Sequence, residues 1–136
     1  MNQIKLLRFA FLLGAITDAV ALLPMLFPRL ANIFWGFTEF SGTYQFAMGY
    51  GASLMLGWTV FLIWAAQKPL ERKYAALLTM IVIIGFVITE IACVAKGTIL
   101  IEHVVVSWVM QIILFVLFSW AYFIRDSKST LDTSGA

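Results

Sequence analysis

The chain has 136 residues, of which 62% are hydrophobic and only 12% are charged. Soluble domains are roughly 45–50% apolar and about 25% charged, so this composition excludes an ordinary water-soluble fold and predicts that a lipid bilayer covers most of the surface. The net charge is +2, and the basic residues lie at the ends of apolar segments rather than along one face. This distribution argues against a nucleic-acid partner.

The single cysteine and the single histidine restrict cofactor chemistry further. Cys93 has no second cysteine with which to form an intramolecular disulfide or a CxxC redox centre. His103 cannot provide bis-histidine haem ligation within one chain, although a single axial ligand is not excluded. The sequence therefore predicts no cofactor.

Four segments contain the roughly 20 apolar residues that a transmembrane helix needs, at about 6–27, 44–66, 74–95 and 99–124. Because most of the connections between them are short, neighbouring helices should be antiparallel. The predicted fold is all-α, a polytopic membrane protein with an antiparallel four-helix bundle that forms one domain over about 1–125. The polar segment at about 126–136 is predicted to be a disordered tail.

The basic residues predict the orientation of this bundle. Only Arg29 and Lys96 lie on one side of the four segments. The other side carries Lys5, Arg8, Lys68, Arg72, Lys73, Arg125 and Lys128. The positive-inside rule then places both termini in the cytoplasm, and we expect a multi-pass protein of the cell's inner (plasma) membrane.

The first segment contains Asp18 within the run FLLGAITDAVALLPMLF. A carboxylate at that depth costs about 2.5–3.5 kcal/mol on insertion scales, so it normally faces the interior of a bundle and has a partner. The apolar run is too long for a cleaved signal peptide, and Asp18 interrupts it. We therefore expect a retained transmembrane helix whose carboxylate faces the other helices.

The connection after the first segment, from Pro28 to Thr43, is the only long one. Leu30, Ile33, Phe34 and Phe37 recur in it at helical spacing. This pattern predicts a short amphipathic helix that lies in the outer membrane interface. An interfacial anchor is the preferred interpretation, and a lid over a pocket is the alternative.

Each long segment also carries small or polar residues that recur on one helical face. Small residues let membrane helices approach closely, and polar side chains hydrogen-bond between helices. These residues are Ala10, Gly14 and Asp18 in the first segment, Gln45, Gly49, Ser53 and Gly57 in the second, Thr79 and Glu90 in the third, and His103, Ser107 and Gln111 in the fourth. The four rows predict a compact bundle in which they meet.

The ionisable residues within the segments all fall in the outer half of the predicted membrane. With a rise of about 1.5 Å per residue, Asp18 lies about 3 Å outward of the middle and Glu90 about 9 Å, whereas Glu102 and His103 lie about 12–13 Å outward. No ionisable residue lies deep in the inner half. A proton path or ion channel would need polar groups across both leaflets, so this asymmetry favours a blind, outward-facing polar pocket.

The predicted pocket binds a small amphipathic ligand such as a cationic amine, or a lipid or quinone headgroup. Asp18 and Glu90 would form its floor, and Glu102 and His103 its mouth. The full set of candidate ligand-binding residues is Asp18, Glu90, His103, Glu102, Gln45, Tyr50, Gln111, Trp108 and Trp58.

Other functions compete with ligand binding. Two carboxylates and a histidine could perform acid–base chemistry, but no nucleophile motif accompanies them and no catalytic residue is assigned. A metal site is disfavoured, and no metal ligand is assigned, because Glu102 and His103 are adjacent and point about 100° apart on a helix. The carboxylates could instead be structural hydrogen-bonding groups in a subunit of a membrane complex or in a homo-oligomer. Transport is the remaining alternative.

The overall layout resembles the small four-helix DoxX-like membrane proteins of bacteria. The shared features are the four spans, the short loops and a first helix with a small-residue row followed by Pro24 and Pro28. The resemblance implies cytoplasmic termini and the bundle fold, and it assigns no functional residue. Small multidrug transporters are also similar in having four helices with a carboxylate in the first, although this chain is longer and its third helix ends with Glu90.

Overall fold

The computed structural model describes residues 2–124, which form five α-helices and no strand. The helices are α1 (Gln3–Leu26), α2 (Pro28–Trp35), α3 (Gly42–Gln67), α4 (Tyr74–Ala95) and α5 (Ile101–Phe123). The all-α prediction is confirmed, and α1, α3, α4 and α5 are each long and apolar enough to cross a membrane. The tail predicted at about 126–136 lies outside the described residues.

Local chemistry sets where several helices begin and end. Helix α1 begins at Gln3, earlier than predicted, because the Asn2 side chain caps it by accepting a hydrogen bond from the Ile4 amide at 3.2 Å. Ser41 caps α3 in the same way. The short helix predicted in the first long connection is present as α2, which starts with Pro28 and stops at Gly36 in a left-handed conformation.

Helix α1 is central, since it packs against α3, α5 and α2, whereas α4 packs mainly against α5. Among the contacts that α1 makes with α3 and α5, higher residue numbers in α1 go with lower numbers in the facing helix. The contacts that show this are Arg8 with Ala66, Gly14 with Leu62 and Met25 with Gly51 for α3, and Gln3 with Ala121 and Phe11 with Phe118 for α5. The same holds between α4 and α5, through Tyr74 with Tyr122, Met80 with Ser119 and Glu90 with Ser107.

The hydrophobic core lies at one end of the bundle, which we call the packed end. It joins the first half of α1, the last turns of α3, the first half of α4 and the last half of α5. Its buried apolar residues are Leu6, Leu7, Ala10, Phe11, Ala15, Leu62, Ala65, Ala66, Ala75, Ala76, Met80, Ile83, Leu114, Phe118 and Ala121. The many alanines allow the helices to approach closely there.

Burial falls off sharply toward the other end, which we call the open end. No residue of α4 beyond Ile83 is buried, and α3 buries only Ala52 before Thr59. In α5 the buried residues before Leu114 are Val104 and Gln111. The polar residues singled out in the sequence therefore lie in the less tightly packed part of the bundle.

Close helix packing depends on Gly14 and not on every glycine of the predicted rows. A Cβ atom at Gly14 would lie 3.1 Å from the Phe118 ring and 3.2 Å from a Leu62 methyl group. By contrast, a Cβ atom at Gly49 or Gly57 would meet nothing within 4 Å. The close-packing role expected for those two α3 glycines is therefore wrong within this chain.

Two arginines donate hydrogen bonds to carbonyl groups in the last turn of α3, at the packed end. The Arg8 Nε group donates a hydrogen bond to the Ala66 carbonyl at 3.2 Å, and Arg72 donates to the Trp64 carbonyl. The Arg72 guanidinium also lies 3.6 Å from the centre of the Trp64 ring. The final carbonyls of a helix lack intrahelical partners and carry partial negative charge, so cationic donors stabilise them.

Candidate functional site

A hydrogen-bonded network joins α4 and α5 at the base of the open end. The Ser107 hydroxyl donates to Glu90 Oε1 at 2.6 Å, and Gln111 Nε2 donates to Glu90 Oε2 at 3.0 Å. Gln111 Nε2 also lies 3.0 Å from Ser107 Oγ. Because Ser107 and Gln111 are one turn apart on α5, both reach the same carboxylate on the facing helix.

Sequence reasoning placed Glu90 and Gln111 in the site but assigned Ser107 to helix packing. The structure makes Ser107 a direct partner of the Glu90 carboxylate. The signal for this role was the spacing of Ser107 and Gln111, because polar residues four apart on a helix present their side chains together.

Gln111 has one polar atom that the described residues leave without a partner. Its side chain is only 9% exposed, and its amide nitrogen is committed to Glu90 and Ser107. Its carbonyl oxygen, Oε1, is buried and accepts no hydrogen bond from the described part of the chain. An unsatisfied buried acceptor costs about 1–3 kcal/mol, so this oxygen calls for a donor from elsewhere.

Asp18 lies on the buried face of α1. Leu7 and Phe11, three turns and two turns before it, are fully buried, and residues at these spacings share a helical face. Asp18 itself is partly buried, and it makes no hydrogen bond or ion pair with any described residue. The structure thus keeps Asp18 facing the bundle, as predicted from its cost in an apolar helix, but gives it no protein partner.

Helix contacts at the packed end show which residues of α5 and α3 lie beside Asp18. We call the position of a residue along the long axis of the bundle its level. The Phe11 and Phe118 ring centroids are 5.9 Å apart, and Asp18 and Gln111 are each two turns, about 10 Å, beyond that pair toward the open end. Likewise, Gly14 packs on Leu62, and Asp18 and Trp58 are each one turn beyond that contact.

Two tryptophans add hydrogen-bond donors near this level. The indole Nε1 atoms of Trp58 and Trp108 are buried, and neither finds an acceptor among the described residues. Trp58 packs against the core and against Phe61, with ring centroids 5.0 Å apart. Trp108 lies beside Ser107 in α5. Together with Asp18, Glu90 and Gln111, these two side chains form what we call the midspan cluster.

His103 and Glu102 lie farther toward the open end, at the start of α5. Glu102 is exposed, with 72% of its side chain accessible, and its Oε1 atom is 4.0 Å from His103 Nε2. His103 also lies directly against Gly36, because a Cβ atom placed there would be 2.6 Å from His103 Nε2. The end of α2 is thereby joined to the predicted mouth of the pocket, a connection that the sequence did not reveal.

Helix α2 covers part of the open end. Its Ala31 is fully buried, and the helix packs against α1 and, more sparingly, α5. Ile33 and Phe34 of this helix are exposed. Phe37, predicted to share the apolar face of this helix, lies beyond its last residue and packs against the rings of Trp35 and Tyr44 instead.

Gln45 and Tyr50 lie apart from the midspan cluster. Tyr50 is 66% exposed and its ring packs against Phe46 on the outside of α3, so the structure does not bring it to the carboxylates. Gln45 donates to the Phe40 carbonyl at 3.4 Å. It lines a cleft of about 250 Å³ together with Met25, Leu26, Pro28, Tyr44 and Gly49.

The cluster is rich in hydrogen-bond acceptors, and its two carboxyl groups have no cationic partner among the described residues. The ion pairs among residues 2–124 are Lys68 with Glu71 at the packed end and the His103–Glu102 contact, so neither Asp18 nor Glu90 has a cationic partner there. Within the same residues no group of three His, Cys, Asp or Glu side chains is arranged to hold a metal ion. The arrangement is therefore suited to a ligand that donates hydrogen bonds or carries positive charge.

No protein-family model, no curated protein and no solved structure matches the chain. The resemblance to DoxX-like proteins stays a prediction.

Proposed function

We propose that this chain is an inner-membrane protein that binds a small amphipathic molecule in an outward-facing pocket at the open end of its bundle. Its four long helices would cross the bilayer in antiparallel order, with both termini in the cytoplasm. Support for this orientation comes from the basic residues, since the positive-inside rule assigns the more basic side to the cytoplasm. Lys5, Arg8, Lys68, Arg72 and Lys73 lie at the packed end, whereas Arg29 and Lys96 lie at the other.

The unpartnered Gln111 oxygen carries the proposal. A side chain that is nine-tenths buried rarely leaves an acceptor unused, and functional sites are where such exceptions concentrate. Asp18 on the buried face of α1 and the unpartnered indole N–H group of Trp58 fall at the same level, and that of Trp108 lies about one turn farther toward the open end. A bound molecule is one partner that would satisfy several of these groups together.

The packed end supports a blind pocket over a conduit through the membrane. Phe11, Leu62 and Phe118 are fully buried there and fill the space between α1, α3 and α5. The buried polar residues near this end, Thr59 and Thr79, donate their hydroxyls to backbone carbonyls of their own helices. An ion or proton path would need a continuous series of polar groups, which the apolar side chains of this core do not provide.

The proposed function is tested by looking for bound molecules in purified protein. Native mass spectrometry of the chain released from nanodiscs should show a small-molecule adduct, or thermal stability should rise with members of an amphipathic compound library. We expect Asp18→Asn to weaken each such interaction by at least about ten-fold, which corresponds to about 1.4 kcal/mol.

Thr89→Ala is the matched control, because Thr89 is an exposed neighbour of Glu90 whose hydroxyl donates only to the Gly85 carbonyl of its own helix. If every ligand binds the Asp18→Asn variant as tightly as the wild type, the assignment of Asp18 fails. If the wild type shows neither adduct nor stabilisation, the binding function itself fails.

A role as a subunit of a membrane complex is the second candidate, and the Glu90 network favours it. Ser107 and Gln111 already satisfy both carboxylate oxygens, so these residues could serve only to join α4 to α5. Co-purification of a stoichiometric protein partner, without any small-molecule adduct, would support this role.

A further inference from the structure

We infer that the ligand is a lipophilic organic monocation, whose ammonium group binds at the midspan cluster between Asp18 and Gln111. This inference rests on the proposed function and specifies the chemical class of the ligand.

The charge of the cluster points to a cation. Asp18 and Glu90 are within helices long enough to span the bilayer, and neither meets a lysine, arginine or histidine among the described residues. Arg29 and Lys96, the basic residues at the open end, are exposed and lie in α2 and after α4. A carboxylate that stays ionised in a low-dielectric environment needs a compensating charge, and a bound ammonium provides one.

The hydrogen-bonding inventory points the same way. The cluster offers the Asp18 carboxylate and Gln111 Oε1 as unused acceptors, and the Glu90 carboxylate retains lone pairs beyond its two hydrogen bonds. Its unused donors are two indole N–H groups. An ammonium has donors for these acceptors, whereas a quinone or a carboxylate ligand would bring further acceptors to an acceptor-rich site.

The aromatic side chains of the cluster suit an organic cation better than a metal ion. Trp58 is partly buried at the level of Asp18, and Trp108 is partly buried about one turn beyond Gln111 toward the open end. Indole rings attract ammonium groups through their faces. The described residues lack a three-ligand arrangement for a metal. The apolar helix surfaces that flank the open end would contact the hydrocarbon part of the ligand.

Four probes with the same eight-carbon chain separate the contributions of charge and hydrogen bonding. These are octylammonium, octyltrimethylammonium, octanol and octanoate, added to the full chain in nanodiscs of zwitterionic lipid with empty nanodiscs as the blank. Binding is measured by tryptophan fluorescence and by the shift in unfolding temperature. We expect saturable binding of octylammonium, weaker binding of octyltrimethylammonium because it cannot donate to Gln111, and no saturable binding of octanol or octanoate.

Variants locate the binding at the cluster. Asp18→Asn keeps the side-chain size and should weaken octylammonium binding by about ten-fold or more. Trp58→Phe keeps an aromatic wall but weakens the cation–π contribution, so it should lower affinity for both ammonium probes by a smaller factor. Thr89→Ala should bind as the wild type does, and circular dichroism confirms that each variant is folded.

The outcomes distinguish this inference from the proposed function. Saturable binding of octanol or octanoate, with no preference for ammonium, would overturn the ligand class while leaving an amphipathic pocket in place. Ammonium binding that is unchanged in folded Asp18→Asn would overturn the site. If none of the four probes saturates and purified protein carries no adduct, both proposals fail together.

Discussion

Asp18 and Gln111 show how individual polar residues can be retained in an apolar bundle. Each lies on the buried face of its helix, and each keeps an acceptor that no described residue satisfies. A carboxylate in a long apolar helix and an orphaned amide oxygen each cost free energy, so their occurrence at one level of the bundle is hard to attribute to packing alone. These two residues are the residue-scale basis for the proposed ligand site.

Gly14 is the position in α1 at which the helix approaches both α3 and α5 closely. We expect Gly14→Leu to lower the free energy of unfolding by about 1–3 kcal/mol, because the added side chain would overlap Phe118 and Leu62. Thermal unfolding in detergent or nanodiscs measures the change. Gly85→Leu is the control, since a Cβ atom there meets nothing within 4 Å. If both variants lost the same free energy of unfolding, the close contact of Gly14 with Phe118 and Leu62 would not be the cause of the loss.

At the scale of elements, the bundle combines firmly packed helix ends with looser ones. Arg8 and Arg72 secure the last carbonyls of α3 at the packed end. Toward the open end, α4 has no buried residue after Ile83, and it is joined to α5 by the Glu90 network. At the open end, hydrogen bonds between polar side chains therefore hold α4 against α5, whereas apolar packing holds the helices together at the packed end.

The contact between Gly36 and His103 attaches the end of α2 to α5. Gly36 has φ of 70°, so an alanine there costs about 1–2 kcal/mol for the left-handed backbone and also displaces the imidazole. Gly97 has φ of 69° with nothing within 4 Å of a Cβ atom, so Gly97→Ala reports the backbone cost alone. We expect Gly36→Ala to lower thermal stability more than Gly97→Ala does.

The double variant Gly36→Ala with His103→Ala identifies the source of that difference. If the imidazole contact is responsible, His103→Ala should be less harmful in the Gly36→Ala background than in the wild type. Additive effects of the two substitutions would mean that the two residues are not coupled. Hydrogen exchange of the α2 amides should accelerate in Gly36→Ala if this contact holds the helix in place.

For the whole molecule, the larger number of basic residues at the packed end predicts a single orientation in the membrane. An alkaline phosphatase domain fused after Gly97, between α4 and α5, should be active, because the enzyme works outside the cytoplasm. The same domain fused after Leu70, between α3 and α4, should be inactive despite comparable expression. The reverse pattern would overturn the predicted topology and turn the open end toward the cytoplasm.

Much of the fold was predictable because it depends on local patterns. The bounds of α4 were predicted at 74–95 and are found at Tyr74–Ala95, since a continuous apolar run between flanking charges marks a long apolar helix by itself. The candidate site was predictable only in part. Glu90 and Gln111 do meet, but Tyr50 faces outward and Ser107 proved to be a direct partner of Glu90.

The sequence by itself determined the number of long helices, the short helix after the first of them and the uneven distribution of ionisable residues, because composition and periodicity are properties of each segment alone. Tertiary structure decided which polar groups lie together, why Gly14 is closely packed while Gly49 and Gly57 are not, and where burial gives way to an open end. In an apolar helix nearly every face is hydrophobic, so periodicity does not specify its rotation. The facing helices set that rotation and their relative axial positions through side-chain packing. The contacts of Phe11 with Phe118 and of Gly14 with Leu62 bring Asp18 to the level of Gln111 and Trp58.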